Sequence, residues 1–326
     1  MAQETIIGDG NFPDQGRFGR FFRRNKQDST PASGMLFTPQ FDRFFRTHED
    51  QRWSLSDVIS RLNSKEEPVD WGLVTPDQID AVHASMLVES HNPVYTMVLL
   101  DMFRHDHEMT SFLITWGYEE FKHYAVLKSY LETSGKVDKR ELAAELDMTR
   151  AGPWGEEERT FSRIKSFTYT MLQEQVTGLF YQRFAVGIEE PSLKEILRLV
   201  SGDEYRHCQY YLEKGKQELV KDKRGMREVD EVWLTFNMPG PTFIPNYGMH
   251  LEAMGKVVPR GADNYKQILS KVVQLIGPLH MAELALDHSY RQQMQDKWGV
   301  DLGEIARDII KPRLPSFSLP LFQSQT

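Results

Sequence analysis

The segment WGYEEFKHY (116–124) sets Glu119, Glu120 and His123 among aromatic residues, in the middle of a stretch with helical apolar spacing. A carboxylate or imidazole taken out of water is costly unless something compensates it. Any fold that buries this segment must therefore supply a partner for it. A second segment repeats the problem: SGDEYRHCQYY (201–211) holds Glu204 and His207 three positions apart, as Glu120 and His123 are. On a helix, residues i and i+3 share one face. With 10 histidines and 47 acidic residues in the chain, one Glu-x-x-His is weak evidence for a metal. Short motifs recur by accident, and a lone core Glu–His pair is more often a hydrogen-bonded pair than a ligand pair.

Two further acids change that balance. Glu89, in SMLVESHNPVY, and Glu174, in TMLQEQVTGLF, each sit in a largely apolar helical segment. Glu89 precedes Glu120 by 31 residues and Glu174 precedes Glu204 by 30. Two antiparallel helices bring such residues level when the turn lies midway, and the midpoints fall in the polar stretches RHDHE and GIEEPS. Each half of the chain then reads as a helical hairpin with Glu on its first helix and Glu-x-x-His on its second. Packed together, the halves gather Glu89, Glu120, His123, Glu174, Glu204 and His207. One Glu from each of two helices and Glu-x-x-His from each of two others is the ligand set of ferritin-like dinuclear carboxylate proteins. Four carboxylates balance two divalent cations, and hard oxygen with imidazole nitrogen suits iron or manganese. Of the remaining acids, Asp203 is placed to orient a ligating imidazole, whereas Glu119 points off that face and is expected in solvent or on a neighbour.

The rest of the chain reads as all-α, a helical bundle with additional C-terminal helices and no strand alternation. Residues 1–50, with RFGRFFRR at 17–24, read as an irregular arm, either a docking strip or a packed tail, and 51–326 as a single domain. TPDQ (75–78) opens a helix as a capping box, running to about Arg104 with a kink at Pro93. Helices follow over 107–133, ending at Gly135, over DKRELAAEL, and over 155–187. A second capping box, Ser192 to Glu195, opens a helix to about Lys223. MPGPTFIPNYG (238–248) reads as irregular, 263–276 and 280–297 as helices, and the tail PRLPSFSLPLF as extended. A net charge of −8 argues against general nucleic-acid binding. The single cysteine, Cys208, excludes an intrachain disulfide and a thiolate metal cluster and fits a reducing cytoplasm. No basic-then-apolar leader and no bilayer-length apolar run occurs, so a soluble protein is expected.

At the level of motifs, the sequence resembles the soluble acyl-acyl carrier protein desaturases of plants and actinobacteria. EEFKH is similar to that family's EENRH, DEYRH to its DEKRH, SGKVD (134–138) to its SGRVD, and QEQVT (173–177) to its QERAT. Glu89 before PVY matches its glutamate ahead of Pro-x-Tyr, and the likeness extends from about Arg52 to about Gly277. The resemblance implies the same six metal ligands. It also implies Thr177 beside the oxygen-binding face, Asp203 behind a histidine, and Trp53 on the electron path to the metals. A homodimer, two iron ions, O2, a ferredoxin-type donor and an acyl chain on acyl carrier protein follow from it as well. Met86, Thr115, Tyr118, Met171, Thr177 and Phe180, within a turn or so of ligands, could line a substrate channel or simply pack. KDKRGMR (221–227) is a basic patch for an acidic carrier, or a solvated helix end. Phe121, Lys122 and Tyr205 depart from the family's motifs. They keep open a di-iron monooxygenase, a hydroxylase or N-oxygenase of specialised metabolism, beside a non-catalytic metal-binding bundle.

Overall fold

A computed structural model of the chain describes residues 37–150, 160–258, 262–299, 301–304 and 307. The described residues from Pro39 onward pack as one unit. The described elements are helical throughout, and among the described residues there is no strand. RFGRFFRR, the acidic stretch GEEER and the tail PRLPSFSLPLF lie outside the described residues.

The first helix, α1 (Pro39–Gln51), corrects the expectation that the arm is irregular up to residue 50. Its sequence, PQFDRFFRTHEDQ, buries Phe41, Phe44 and His48 on one face and leaves its charges outside. Phe44 packs edge-on against Phe112 at 4.8 Å and beside Tyr210 at 5.1 Å, which clamps α1 to the bundle. A short helix, α2 (Leu55–Leu62), follows.

The bundle proper begins at α3 (Pro76–Glu89), where Thr75 and Gln78 form the expected capping box. The expected single helix to residue 104 is instead two, α3 and α4 (Asn92–Met102), separated at Ser90 and His91. Pro93 brings no N–H, and its ring would collide with the carbonyl of Glu89 four residues back. The break is held open by Asn92, whose amide donates to the Gly117 carbonyl at 2.9 Å. His91 stacks on Phe243 at 3.8 Å.

The turn after α4 leads into α5 (His107–Ser134), capped by Asp106 and ended by Gly135 in the left-handed region at φ 62°. After α6 (Lys139–Arg150) comes α7 (Arg163–Val186), which starts later than expected because Ser162 caps it. α8 (Pro191–Lys221) is capped by Glu190, not by Ser192. Pro191 takes the first helical position, and the Glu190 carboxylate accepts from the Ser192 and Leu193 amides at 3.0 and 2.7 Å. Tyr130 of α5 donates to the same carboxylate at 3.2 Å, so the cap also ties the hairpins together.

α3 packs on α5, α5 on α8, and α7 along the length of α8, giving the ferritin-like four-helix core. Its two turns, at 103–106 and 187–190, lie where the midpoints place them. Beyond it lie α9 (Met226–Thr235), α10 (Gly240–Phe243), α11 (Tyr247–Val257), α12 (Ala262–Ile276), α13 (Pro278–Leu286) and α14 (His288–Trp298). α9 and α11 went unread in the sequence, and the expected helix over 280–297 is divided into α13 and α14 at Asp287, which caps α14. α10 and α11 also narrow the expected irregular stretch 238–248. α11 lies on α3, and α12 on α7 and α8, so these helices cover one flank of the core.

Candidate metal centre

Glu89 ends α3, Glu120 and His123 face inward from α5, Glu174 from α7, and Glu204 and His207 from α8; all six side chains are buried. Glu89, Glu120, His123 and Glu204 offer ligand atoms within 4.8 Å of one another, and so do Glu120, Glu174, Glu204 and His207. Two overlapping cradles result, sharing Glu120 and Glu204. The six residues expected from the sequence therefore converge.

Close approach of α7 to α8 at this level depends on Gly178. A Cβ there would stand 3.2 Å from the Glu204 Cβ, and the Ser201 hydroxyl bonds the Gly178 carbonyl at 2.9 Å. Both imidazoles turn Nδ1 toward the cluster. His123 Nδ1 lies 3.3 Å from Glu204 and 3.9 Å from Glu89, and His207 Nδ1 lies 3.1 Å from Glu120 and 3.2 Å from Glu174. Each ring is held from behind through Nε2, His123 by Asp203 at 3.0 Å and His207 by Glu119 at 2.8 Å. The arrangement crosses over: the acid preceding Glu204 on α8 holds the α5 imidazole, and the acid preceding Glu120 on α5 holds the α8 imidazole.

Glu119 is thus fully buried, which corrects the solvent option; it is paired, also receiving His48 of α1 at 2.7 Å. The signal was present as an acid directly before each Glu-x-x-His, in EEFKH and DEYRH alike. Arg206 bonds both outer acids, Asp203 and Glu119. Trp53 donates its indole N–H to Asp203 at 2.8 Å and lies parallel to His123, centroids 6.5 Å apart, with the Lys122 ammonium 4.2 Å from its ring centroid. Two aromatic donors fix the single carboxylates: Tyr181 to Glu89 at 2.5 Å and Trp116 to Glu174 at 3.0 Å.

The electrostatics are those of a site built around cations. Burial and the Glu120 charge push the Glu89 carboxyl up to about 8. Burial with Glu174 raises Glu120, and burial with Glu120, Glu174 and Glu89 drives Glu204 well above the carboxylate range. Although burial opposes it, the acids around them raise His123 and, strongly, His207. Asp203 and Glu119 go the other way: burial would raise them, but hydrogen bonds from the histidines hold both low. Glu120 Oε1, Glu204 Oε1 and His123 Nδ1 are buried and make no hydrogen bond among the described residues. Unmet inward-facing donor atoms of this kind, with oxygen in excess of nitrogen, fit two hard divalent ions.

Beside the cluster runs a 460 Å³ cavity, within the ~300–1,000 Å³ common for small-molecule sites. Thr177, Phe180, Leu179, Ser85 and Val88 line it, together with Tyr181. Of the residues expected along a channel, Thr177 and Phe180 line this cavity, with the Thr177 hydroxyl donating to the Gln173 carbonyl at 2.5 Å. Met86 and Met171 are wholly buried core residues, Thr115 bonds the Ser111 carbonyl, and Tyr118 is exposed beside a second hollow with Arg52, Trp53 and Lys122.

A family model described as fatty acid desaturase matches residues 73–297. Two curated relatives, palmitoyl-[acyl-carrier-protein] 4-desaturase 3, chloroplastic, of Ophrys sphegodes and of Ophrys arachnitiformis subsp. archipelagi, are each 28% identical over 162 residues. Those residues are 46% of this chain and 38% of the relative, so the match spans well under half of the relatives' length. Among solved structures, DesA2 of Mycobacterium tuberculosis H37Rv, described as a candidate acyl-ACP desaturase, aligns with a TM-score of 0.55 and 18% identity. That alignment covers 78% of this chain and 96% of DesA2, a likeness of fold.

Two outcomes follow for the purified protein. The raised Glu89 carboxyl contributes stability that is complete below its unfolded value of 4.5 and is lost as pH rises through about 8, and the raised Glu120 and Glu204 act in the same direction. The two raised histidines act in the same direction, while Asp203 and Glu119 matter only in acid. The melting temperature of the metal-free protein should therefore fall between about pH 5 and 8, and ferrous or manganous ion should raise it more at pH 8 than at pH 5. A metal-free midpoint that climbs over this window contradicts the assignment. Separately, Glu119→Gln should weaken metal retention about tenfold in chelator competition. Unaltered retention would mean that Glu119 does not support the site.

Proposed function

Because the chain belongs to the fatty acid desaturase family, we propose that this oxidoreductase inserts a double bond into a long acyl chain, using O2 and two iron ions. Manganese is the other metal that the donor set accommodates. The observation that carries this reading is the 460 Å³ cavity laid beside the six buried ligands, with Thr177 and Tyr181 on its wall.

Glu89, Glu120, Glu174 and Glu204 with His123 and His207 would hold the ions. Bound there, the ions would supply the reductive activation of O2 that unactivated C–H bonds require. The chain's own residues provide placement. The apolar walls on α3, α7 and α11 would fix one segment of the acyl chain near the ligands and exclude water, and the wrong carbons would be kept out of reach. Tyr181 and Trp116 keep the single carboxylates, Glu89 and Glu174, oriented, and Asp203 and Glu119 keep each imidazole turned inward. The Thr177 hydroxyl, on the cavity wall one turn after Glu174, is positioned to hold a proton near the ligands.

Trp53, bonded to Asp203 and thereby to His123, offers a route for electrons from the hollow at Arg52, Trp53 and Lys122. A ferredoxin-type donor, acidic at its surface, would suit the exposed Arg52 at the rim of that hollow. Acyl carrier protein as the substrate's carrier rests on the curated relatives and on the exposed basic end of α8, Lys221, Lys223, Arg224 and Arg227. A homodimer is supported by the exposed Ile114, Tyr118 and Phe121 on successive turns of α5. A cytoplasmic setting fits the lone buried thiol of Cys208. Among the described residues no helix is long and apolar enough to cross a membrane.

Reconstituted with ferrous ion and given ferredoxin, reductant and an acyl-acyl carrier protein under oxygen-18, the protein should consume O2 only when the acyl substrate is present. Its product should be an alkene free of the label. Label in the product would show oxygenation and replace the desaturase reading with that of a monooxygenase. Iron oxidation without substrate-dependent uptake would leave only metal binding.

A further inference from the structure

The same cavity changes character along its far wall. Where α3, α7 and α11 line it, the side chains are mostly apolar, but α12 and α14 contribute Asn264, Lys297 and Trp298. Two of their polar atoms, Asn264 Oδ1 and Trp298 Nε1, are buried and make no hydrogen bond among the described residues. Lys297 forms no ion pair among the described residues, and burial alone, with no neighbouring charge to offset it, holds its ammonium below the usual lysine range. These groups share one corner. The Lys297 ammonium lies 5.4 Å from the Trp298 ring centroid, and Tyr265, next to Asn264, packs edge-on against the same ring at 5.6 Å. Trp233 and Phe236 stack against Trp298 at 5.7 and 6.4 Å, so the indole is fixed in place.

A cation without an ion partner among the described residues, beside a buried indole N–H and amide oxygen that make no hydrogen bond there, calls at this corner of an otherwise apolar cavity for a polar group on whatever fills it. We propose that this corner binds the oxyanion head of a chain-like ligand, a carboxylate or a phosphate, while its tail lies along the apolar wall toward Thr177 and Tyr181. Lys297 supplies the charge and Trp298 an N–H. The Asn264 amide, by a half-turn, presents its own N–H. The inference rests on the reading of the cavity as the acyl site, and it adds a determinant of which end of the chain faces away from the metal ligands. A free fatty acid would bring a carboxylate, and a pantetheine-type arm would bring a phosphate.

Calorimetric titration of the full chain with dodecanoate, dodecyl phosphate and uncharged dodecan-1-ol, all below their micellar range, tests this. In the wild type at least one anion should bind about tenfold more tightly than the alcohol, as expected for a charge-assisted contact in a half-buried site. The better anion identifies the head. Lys297→Met should abolish that preference while leaving alcohol binding unchanged, which also shows the cavity intact, and Lys297→Arg should retain it. Equal binding of alcohol and anions by the wild type overturns the head-group site and spares the acyl cavity. An anion preference that survives Lys297→Met overturns the role of Lys297, and no binding of any of the three overturns both readings.

Discussion

Four carboxylates held inside a helical bundle repel one another and have lost their water, and everything else in this protein is arranged around that cost. Without counter-charge the cluster can persist only by taking up protons, which is why Glu89, Glu120 and Glu204 are all raised. Two divalent ions held by these side chains would remove the problem, replacing protons with ligand bonds and meeting the oxygens of Glu120 and Glu204 that make no hydrogen bond among the described residues. The buried charges of WGYEEFKHY thus belong to the cluster on which the four helices converge.

The surrounding residues show how that site is kept rigid. Each hairpin contributes one inward Glu-x-x-His and one outward acid, and each outward acid reaches across to the histidine of the other hairpin. Loss of either acid would therefore loosen a ring on the opposite helix. Arg206 joins the two acids, His48 brings α1 into the network, and Trp53 extends it toward the surface. On the other flank, α11, α12 and α14 close a cavity against α3 and α7, so one face of the cluster meets a relay of polar residues and the other an apolar chamber.

The convergence of the six candidate ligands was legible because their periodicity is double: i and i+3 within each helix, and about thirty residues between hairpin partners. Both rules depend only on helix geometry and turn position, and both held. For Glu119 the sequence left solvent or a neighbour open, because a single-helix wheel turns it away from His123; its partner His207 lies on another helix, which no wheel displays. α1 was missed because its apolar positions, Phe41, Phe44 and His48, follow a Gly- and Pro-rich stretch whose character was extended too far. The start of α8 was misread because Ser192 and Glu195 imitate a capping box, whereas Pro191 already claims the first turn and leaves Glu190 to cap it. The polar corner of Lys297, Asn264 and Trp298 could not be seen at all, since it forms only where α12 and α14 meet in space.

The account stands on two cations seated between Glu89, Glu120, Glu174, Glu204 and the paired histidines, and metal analysis with anomalous scattering at the iron edge tests it most directly. Iron-loaded protein should contain two ions per chain, both inside the bundle and both held among these six side chains. A single ion, or ions bound on the outer surface with the six side chains still turned to one another, would contradict it.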